Sequence, residues 1–231
     1  SSFIQFDFTT VLGSSETQSA KISQVSTNQI VGEVVMAATI RRPKPITVYF
    51  VADFDKSFEQ FGGWKDGQVI SAVKEISGSH TGAFVRFKTN ENDVRMMKVA
   101  ISYVSIEEAK KNLNAELSHW DFPKVVRESA KEWDNWLGRI EVEGGTNIEQ
   151  RRFYTDLFHA LQGRRIVSDV SGSYIDNTGA NPVARNIPLG ADGKPKYKMY
   201  NSDSYWGAQW SLNTLWHLVY PEVTEEFINA M

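Results

Sequence analysis

Apolar residues alternate with polar ones at the very start of the chain. In Phe3-Ile4-Gln5-Phe6-Asp7-Phe8 the positions Ile4, Phe6 and Phe8 share one side, a period of two that predicts a strand. Ile46-Thr47-Val48-Tyr49-Phe50-Val51-Ala52 is instead apolar and β-branched without interruption, the pattern of a strand buried on both faces. Ala83-Phe84-Val85-Arg86-Phe87 and Met97-Lys98-Val99-Ala100-Ile101-Ser102-Tyr103 alternate again. Turn formers punctuate these runs at Arg42-Pro43-Lys44-Pro45, Phe61-Gly62-Gly63, Lys65-Asp66-Gly67 and Asn90-Glu91-Asn92-Asp93. Short strands at regular spacing up to about Val104 predict a β-sandwich.

The period then changes to that of helices. Ser105-Ile106-Glu107-Glu108 reads as a capping box that opens a helix to about Leu117. Pro123 suits the first turn of the next helix, where a missing N–H costs nothing. There Val126, Ala130, Trp133, Trp136, Leu137 and Ile140 recur at helical spacing, and the two Trp are expected to pack one face. After Gly144-Gly145, Thr146-Asn147-Ile148-Glu149 forms a second capping box, with a helix to about Gln162 that turns Phe153, Leu157, Phe158 and Leu161 inward. A Gly-, Asn- and Pro-rich stretch from Gly163 to Asp203 exceeds ordinary loop length, so a functional loop or local hairpins are expected. Trp206–Tyr220 reads as one helix, apolar nearly all round. An amphipathic run follows Pro221 and has no polar stop before Met231. That end, with the absence of an initiator Met or signal-like segment, predicts a piece of a longer protein.

Composition narrows the picture. A net charge of −3 over 231 residues disfavours nucleic acid as a partner. No apolar run approaches the roughly 18 residues of a membrane span. Cys is absent, which removes disulfides, thiolate metal sites and a Cys nucleophile. Seven Trp allow either a Trp-rich core or platforms for sugar rings.

Nucleophile-elbow, Walker and dinucleotide-binding signatures are missing. The four His are scattered without metal-ligand spacing. Asp169-Val170-Ser171-Gly172 resembles a truncated calcium loop but lacks the later acidic ligands. The cluster Asn201-Ser202-Asp203-Ser204-Tyr205-Trp206-Gly207-Ala208-Gln209-Trp210 sets hydroxyl-binding groups beside two indoles. Spacing alone favours an N-cap followed by core Trp, with a sugar pocket as the alternative.

Several blocks together resemble glycoside hydrolase family 92, the exo-acting α-mannosidases. They are Lys98–Ser105 with Ala109, Asn112-Leu113, Glu116 and Trp120-Asp121-Phe122; then Trp133, Leu137 and Arg139–Thr146; then Phe153–His159 and Ser168–Tyr174. Val48-Tyr49-Phe50, Phe58, Phe61-Gly62 and Trp64 extend the likeness upstream.

The resemblance implies an α+β multidomain protein: a β-sandwich domain over 1–104, a helical linker over 105–145, and over 146–231 the start of an (α/α)6 barrel. It implies calcium-dependent, inverting hydrolysis of α-mannosides in glycans, in a bacterial protein that is periplasmic, cell-surface or extracellular. Inversion needs two carboxyl groups about 6.5–9.5 Å apart. The resemblance puts these, and the calcium ligands, beyond Met231, so no catalytic or metal role falls on a residue here and the isolated chain is expected to be inactive. Substrate contact is expected from Trp206, Asp203, Gln209 and Arg165, with the segment Gly163–Asp203 and the helix start at Trp206 converging on one concave surface. Where the family commonly has Trp-Asp, this chain has Trp206-Gly207, which opens the substrate to a differently linked or modified mannoside or another sugar. The alternative function is a non-catalytic carbohydrate-binding or scaffold protein on the same fold.

Overall fold

The structure is a computed structural model that describes residues 1–10, 13, 15–40, 42–202 and 205–231, with the backbone alone at 164, 202, 205 and 206. The chain folds into two compact units, one of residues 1–120 and 168–186, the other of 121–167 and 187–231.

Among the described residues, the first unit is built on nine strands between residues 2 and 102. They are β1 (Ser2–Asp7), β2 (Thr17–Gln24), β3 (Gln29–Met36), β4 (Ile46–Phe54), β5 (Gln60–Lys65), β6 (Gln68–Ser71), β7 (Glu75–Gly78), β8 (Thr81–Phe87) and β9 (Met97–Ser102). They form two antiparallel sheets, ordered β1-β8-β5-β6 and β7-β2-β3-β4-β9. The inward residues of both sheets share one core, with Ile22, Ile30, Ala52 and Phe54 from one and Phe61, Ala83, Val85 and Phe87 from the other. Phe6 of β1 stacks on Phe50 of β4 at 6.1 Å and meets Phe54 edge-on at 6.4 Å. This is the expected sandwich.

Helix α1 (Ile106–Glu116) lies on the outer face of the five-stranded sheet, where Ala109 and Leu113 pack on Val31 and Val51. That cover explains the unbroken apolar run of β4. Phe50 and Ala52 point into the sandwich while Val51 points under the helix. Ser105 caps α1 by accepting from the Glu108 amide at 3.1 Å. The reciprocal half of the predicted capping box is not made. The Glu108 carboxylate turns away to Lys111 Nζ at 2.6 Å and Ser171 Oγ at 2.5 Å, because those donors hold it more strongly than a backbone amide.

Phe61-Gly62-Gly63, read as a turn, is instead the middle of β5. The glycines are there for space. A Cβ on Gly63 would lie 2.1 Å from the Gly82 carbonyl, and one on Gly62 2.6 Å from the Phe84 ring. The turn comes four residues later, where Asp66 and Gly67 both have positive φ (48° and 77°) in a two-residue hairpin loop.

In the second unit, α2 (Phe122–Leu137) is capped by the Asp121 side chain, which accepts from the Lys124 amide. α3 (Asn147–Leu161) carries a complete capping box, with Thr146 N to Glu149 Oε2 at 2.7 Å and Glu149 N to Thr146 Oγ1 at 3.3 Å. The long Gly163–Asp203 stretch is locally structured. It begins as β10 (Arg164–Ile166), leaves to form the hairpin of β11 (Ser173–Asp176) and β12 (Val183–Asn186) in the first unit, and returns as β13 (Tyr200–Ser202), which pairs with β10.

The single helix predicted over 206–220 is two, α4 (Tyr205–Ala208) and α5 (Leu212–Val219). Gly207 weakens the first piece, and Ser211 leaves the helical φ range (φ −151°) before the chain restarts as a helix, without a side-chain cap. α6 (Pro221–Asn229) follows, with Pro221 in its first turn. Leu157, Leu161, Trp216, Tyr220 and Val223 make the core of this unit, and Trp133, Trp136 and Leu137 of α2 pack against it. The two indoles thus share one helix face, as their spacing predicts.

Candidate functional site

The second unit holds a cavity of about 390 Å³. Its wall from α2 is Glu132, Trp133 and Trp136, brought to one side by i, i+3 and i, i+4 spacing. Ile166 and Tyr200, directly opposite each other across β10 and β13, supply a second wall. Trp216 of α5 and Glu222 and Glu226 of α6 supply a third, and Lys198 reaches in before β13.

These side chains are held in place by the unit itself. The Trp136 indole donates to Glu132 Oε1 at 2.7 Å, and the Tyr200 hydroxyl donates to Glu226 Oε2 at 2.5 Å. Arg139 pairs with Glu222 at 2.5 Å and donates to the Val219 carbonyl at 3.1 Å. Its guanidinium also lies over Trp136 at 4.7 Å and Tyr220 at 5.0 Å. The Arg139 bond holds the Glu222 carboxyl below its ordinary range, and Glu222 in turn raises Arg139. Tyr220 is fully buried and donates to the Trp136 carbonyl at 2.9 Å, and burial pushes its phenol up. Tyr220 stacks on Trp136 at 5.4 Å, and Phe158 tilts against Trp133 at 4.5 Å. Each indole is thereby a fixed surface.

Of the residues expected to touch substrate, Asp203 lies outside the described residues, and Trp206 is described only through its backbone in α4. Arg165 sits on β10 opposite Asn201 and is exposed. Because neighbouring strand residues point to opposite faces, Arg165 is turned away from the face on which Ile166 and Tyr200 line the cavity. Gln209 is exposed just after α4. The pairing of β10 with β13 sets residues 164–166 opposite residues 200–202.

Sequence reasoning missed Glu132, Tyr200 and Glu226. They are far apart in the chain, and only the acidic residues' place on helix faces hinted at them.

The first unit contains a buried polar centre around Asp169. Its carboxylate accepts from Ser102 Oγ at 2.9 Å and Asn112 Nδ2 at 2.7 Å, while Asn112 Oδ1 accepts from the Val170 amide. Burial, with the charge of nearby Glu108, raises the Asp169 carboxyl above its ordinary range despite those bonds. At Glu108 burial pulls upward too, but Lys111 and Ser171 outweigh it and the net direction is down. The protein's own donors thus occupy both Asp169 oxygens of the apparent calcium loop. Among the described residues no three His, Asp or Glu side chains converge as a metal site, and no helix is long and apolar enough to cross a membrane.

Comparison with known proteins adds a family. The glycosyl hydrolase family 92 N-terminal domain matches residues 1–102, and the glycosyl hydrolase family 92 catalytic domain matches residues 108–231. No curated protein matches the chain. Among solved structures, a family 92 α-mannosidase of Bacteroides thetaiotaomicron superposes with TM-score 0.85 at 22% identity, over 99% of this chain and 30% of that one. It has also been solved with mannoimidazole bound. The family 92 inverting mannosidase of Bacteroides thetaiotaomicron VPI-5482 superposes with TM-score 0.78 at 21% identity, over 93% of this chain and 28% of that one. The chain therefore spans less than a third of the length of these relatives.

Proposed function

Because the chain belongs to glycoside hydrolase family 92, we propose that it forms the N-terminal domain and first catalytic-domain helices of a hydrolase acting on α-mannosides of glycans. The observation that carries this reading is the succession of the two family domains, in order, over nearly the whole chain. The fold shared with two bacterial mannosidases supports it. The first helices α3, α5 and α6 would open an (α/α)6 barrel, and the domain limits would follow the change of period at 104 and the second capping box at 146.

Hydrolysis with inversion requires an acid to protonate the leaving oxygen and a base to activate water. We assign neither to a residue of this chain. Calcium would polarise and orient the sugar and water when bound. We propose, on the family resemblance, that its ligands come from residues outside this chain. What this chain contributes is substrate contact: Trp206 as a stacking surface, with Asp203, Gln209 and Arg165 as hydrogen-bonding groups. Its partners are mannose-containing glycans, and the setting is a bacterial periplasm, cell surface or exterior.

Gly207 favours a second reading, a carbohydrate-binding scaffold without turnover, because it cannot bond a hydroxyl through a side chain. One assay separates the two. The full-length protein is incubated with an aryl α-mannoside, with calcium and with a chelator, and the first product anomer is read by NMR. Mannose released as the β-anomer only with calcium is the expected result. Glycan binding without release favours the scaffold, and neither binding nor release overturns both.

A further inference from the structure

The cavity of the second unit has a chemistry that the hydrolysis reading does not use. Its volume of about 390 Å³ falls within the range of small-molecule sites, roughly 300–1,000 Å³. Two indoles, Trp133 and Trp136, are half-buried and stiffened from behind by Phe158 and Tyr220. Glu132 and Glu226 each spend one oxygen on an internal donor, Trp136 and Tyr200. Among the described residues, the other oxygen of each takes no protein donor. Lys198 Nζ stands 3.9 Å from Glu226 and adds a donor at the same wall.

The charge pattern selects the ligand class. An anion would meet Glu132 and Glu226, while Glu222 is already paired with Arg139. A simple cation would meet Lys198 and would leave that donor unused. A neutral hydroxylated ring satisfies both, giving O–H to the glutamates, accepting from Lys198, and laying its C–H face on an indole. We infer that this cavity binds a single neutral pyranose ring, held by Glu132 and Glu226 over the Trp133–Trp136 face. The inference rests on the cavity and not on hydrolysis, so either can fail while the other stands.

The chain has no Cys, so a thiol introduced at Glu225, exposed beside the cavity but not lining it, takes an environment-sensitive dye at one place. The labelled chain is titrated with methyl α-mannopyranoside and, separately, with tetramethylammonium. A saturable emission change with the mannoside is expected. Its midpoint should weaken at least tenfold in Glu132→Gln/Glu226→Gln, which keeps the hydrogen-bonding shape, and in Trp133→Ala. Circular dichroism melts show that the variants are folded, and the double Gln variant decides if Trp133→Ala does not fold. No saturable change overturns the inference. So does a change whose midpoint the folded variants leave in place, or tighter binding of tetramethylammonium than of the mannoside.

Discussion

Asp169 is a carboxylate nearly sealed from water, and among the described residues it is compensated by donors from Ser102 and Asn112 and by the more distant Lys111. Removing it strands two buried donors. Asp169→Ala is expected to destabilise the protein by about 2–4 kcal/mol in urea melts, because each unsatisfied group costs its own desolvation. Asp169→Asn should lose less, since its amide oxygen still accepts. The pH dependence separates charge from shape. The folded Asp169 carboxyl titrates above its ordinary value of 3.8, so the native state holds the proton more tightly than the unfolded chain. Its favourable contribution is complete below that value and is lost as pH rises through the raised folded value. Asp169→Asn has no such loss. The urea midpoint of Asp169→Asn relative to wild type should therefore climb as pH rises from 3.8 and level off above the folded titration. A flat difference across that range would mean that burial does not disfavour the Asp169 charge. The charged neighbours, Glu108 and Lys111, are present in both proteins and largely cancel in the comparison.

At the scale of elements, the strands and helices whose causes are local could be read from sequence. β4 shows its two covered faces in its own composition, and the caps at Ser105 and Thr146 stand where their side chains reach the next turn. What could not be read depends on a neighbour. Gly62 and Gly63 look like a turn until Phe84 and the Gly82 carbonyl are seen beside them. Gly82 shows the point most sharply. A Cβ there would lie 2.1 Å and 2.5 Å from two carbons of the Trp64 ring and 2.6 Å from the Phe6 carbonyl. Part of that obstacle is backbone, so rotating Trp64 alone cannot clear it. Gly82→Ala is expected to destabilise by about 1–3 kcal/mol, the cost of overpacking, and to quench or shift Trp64 emission. Gly179→Ala is the control, because its nearest neighbour is 3.8 Å away and its backbone is not left-handed. Equal melting of both variants would return β5 and β8 to ordinary strands with room to spare. The cavity glutamates and Tyr200 were illegible for the same reason: α2, β13 and α6 must first pack before their residues share a wall.

At the scale of the whole molecule, the chain does not fill one unit and then the next. The hairpin of β11 and β12 belongs to the first unit, while the segments on either side of it, 121–167 and 187–231, together make the second. Periodicity is blind to this arrangement, because a hairpin reads the same wherever it docks. The Lys44 ammonium bonds to the Asn177 and Gly179 carbonyls at the hairpin tip, and Ser173 Oγ donates to Asn186 Oδ1 at 2.7 Å near its base. The tip itself is exposed over residues 177–183. A protease that opens such a tip cuts the chain between the two halves of the second unit's core, leaving Trp136, Leu157 and Leu161 on one fragment and Trp216, Tyr220 and Val223 on the other. The Tyr220–Trp136 hydrogen bond and the Arg139–Glu222 pair also cross that division. Burial of these side chains holds the fragments together without a covalent link, at about 1.5–3 kcal/mol for each large apolar residue. The nicked protein should elute as a single species of unchanged size under native conditions and separate into two fragments in urea. The urea needed should fall in Tyr220→Phe, which removes the bond to the Trp136 carbonyl. Fragments that part without denaturant would show that 121–167 and 187–231 do not share a core.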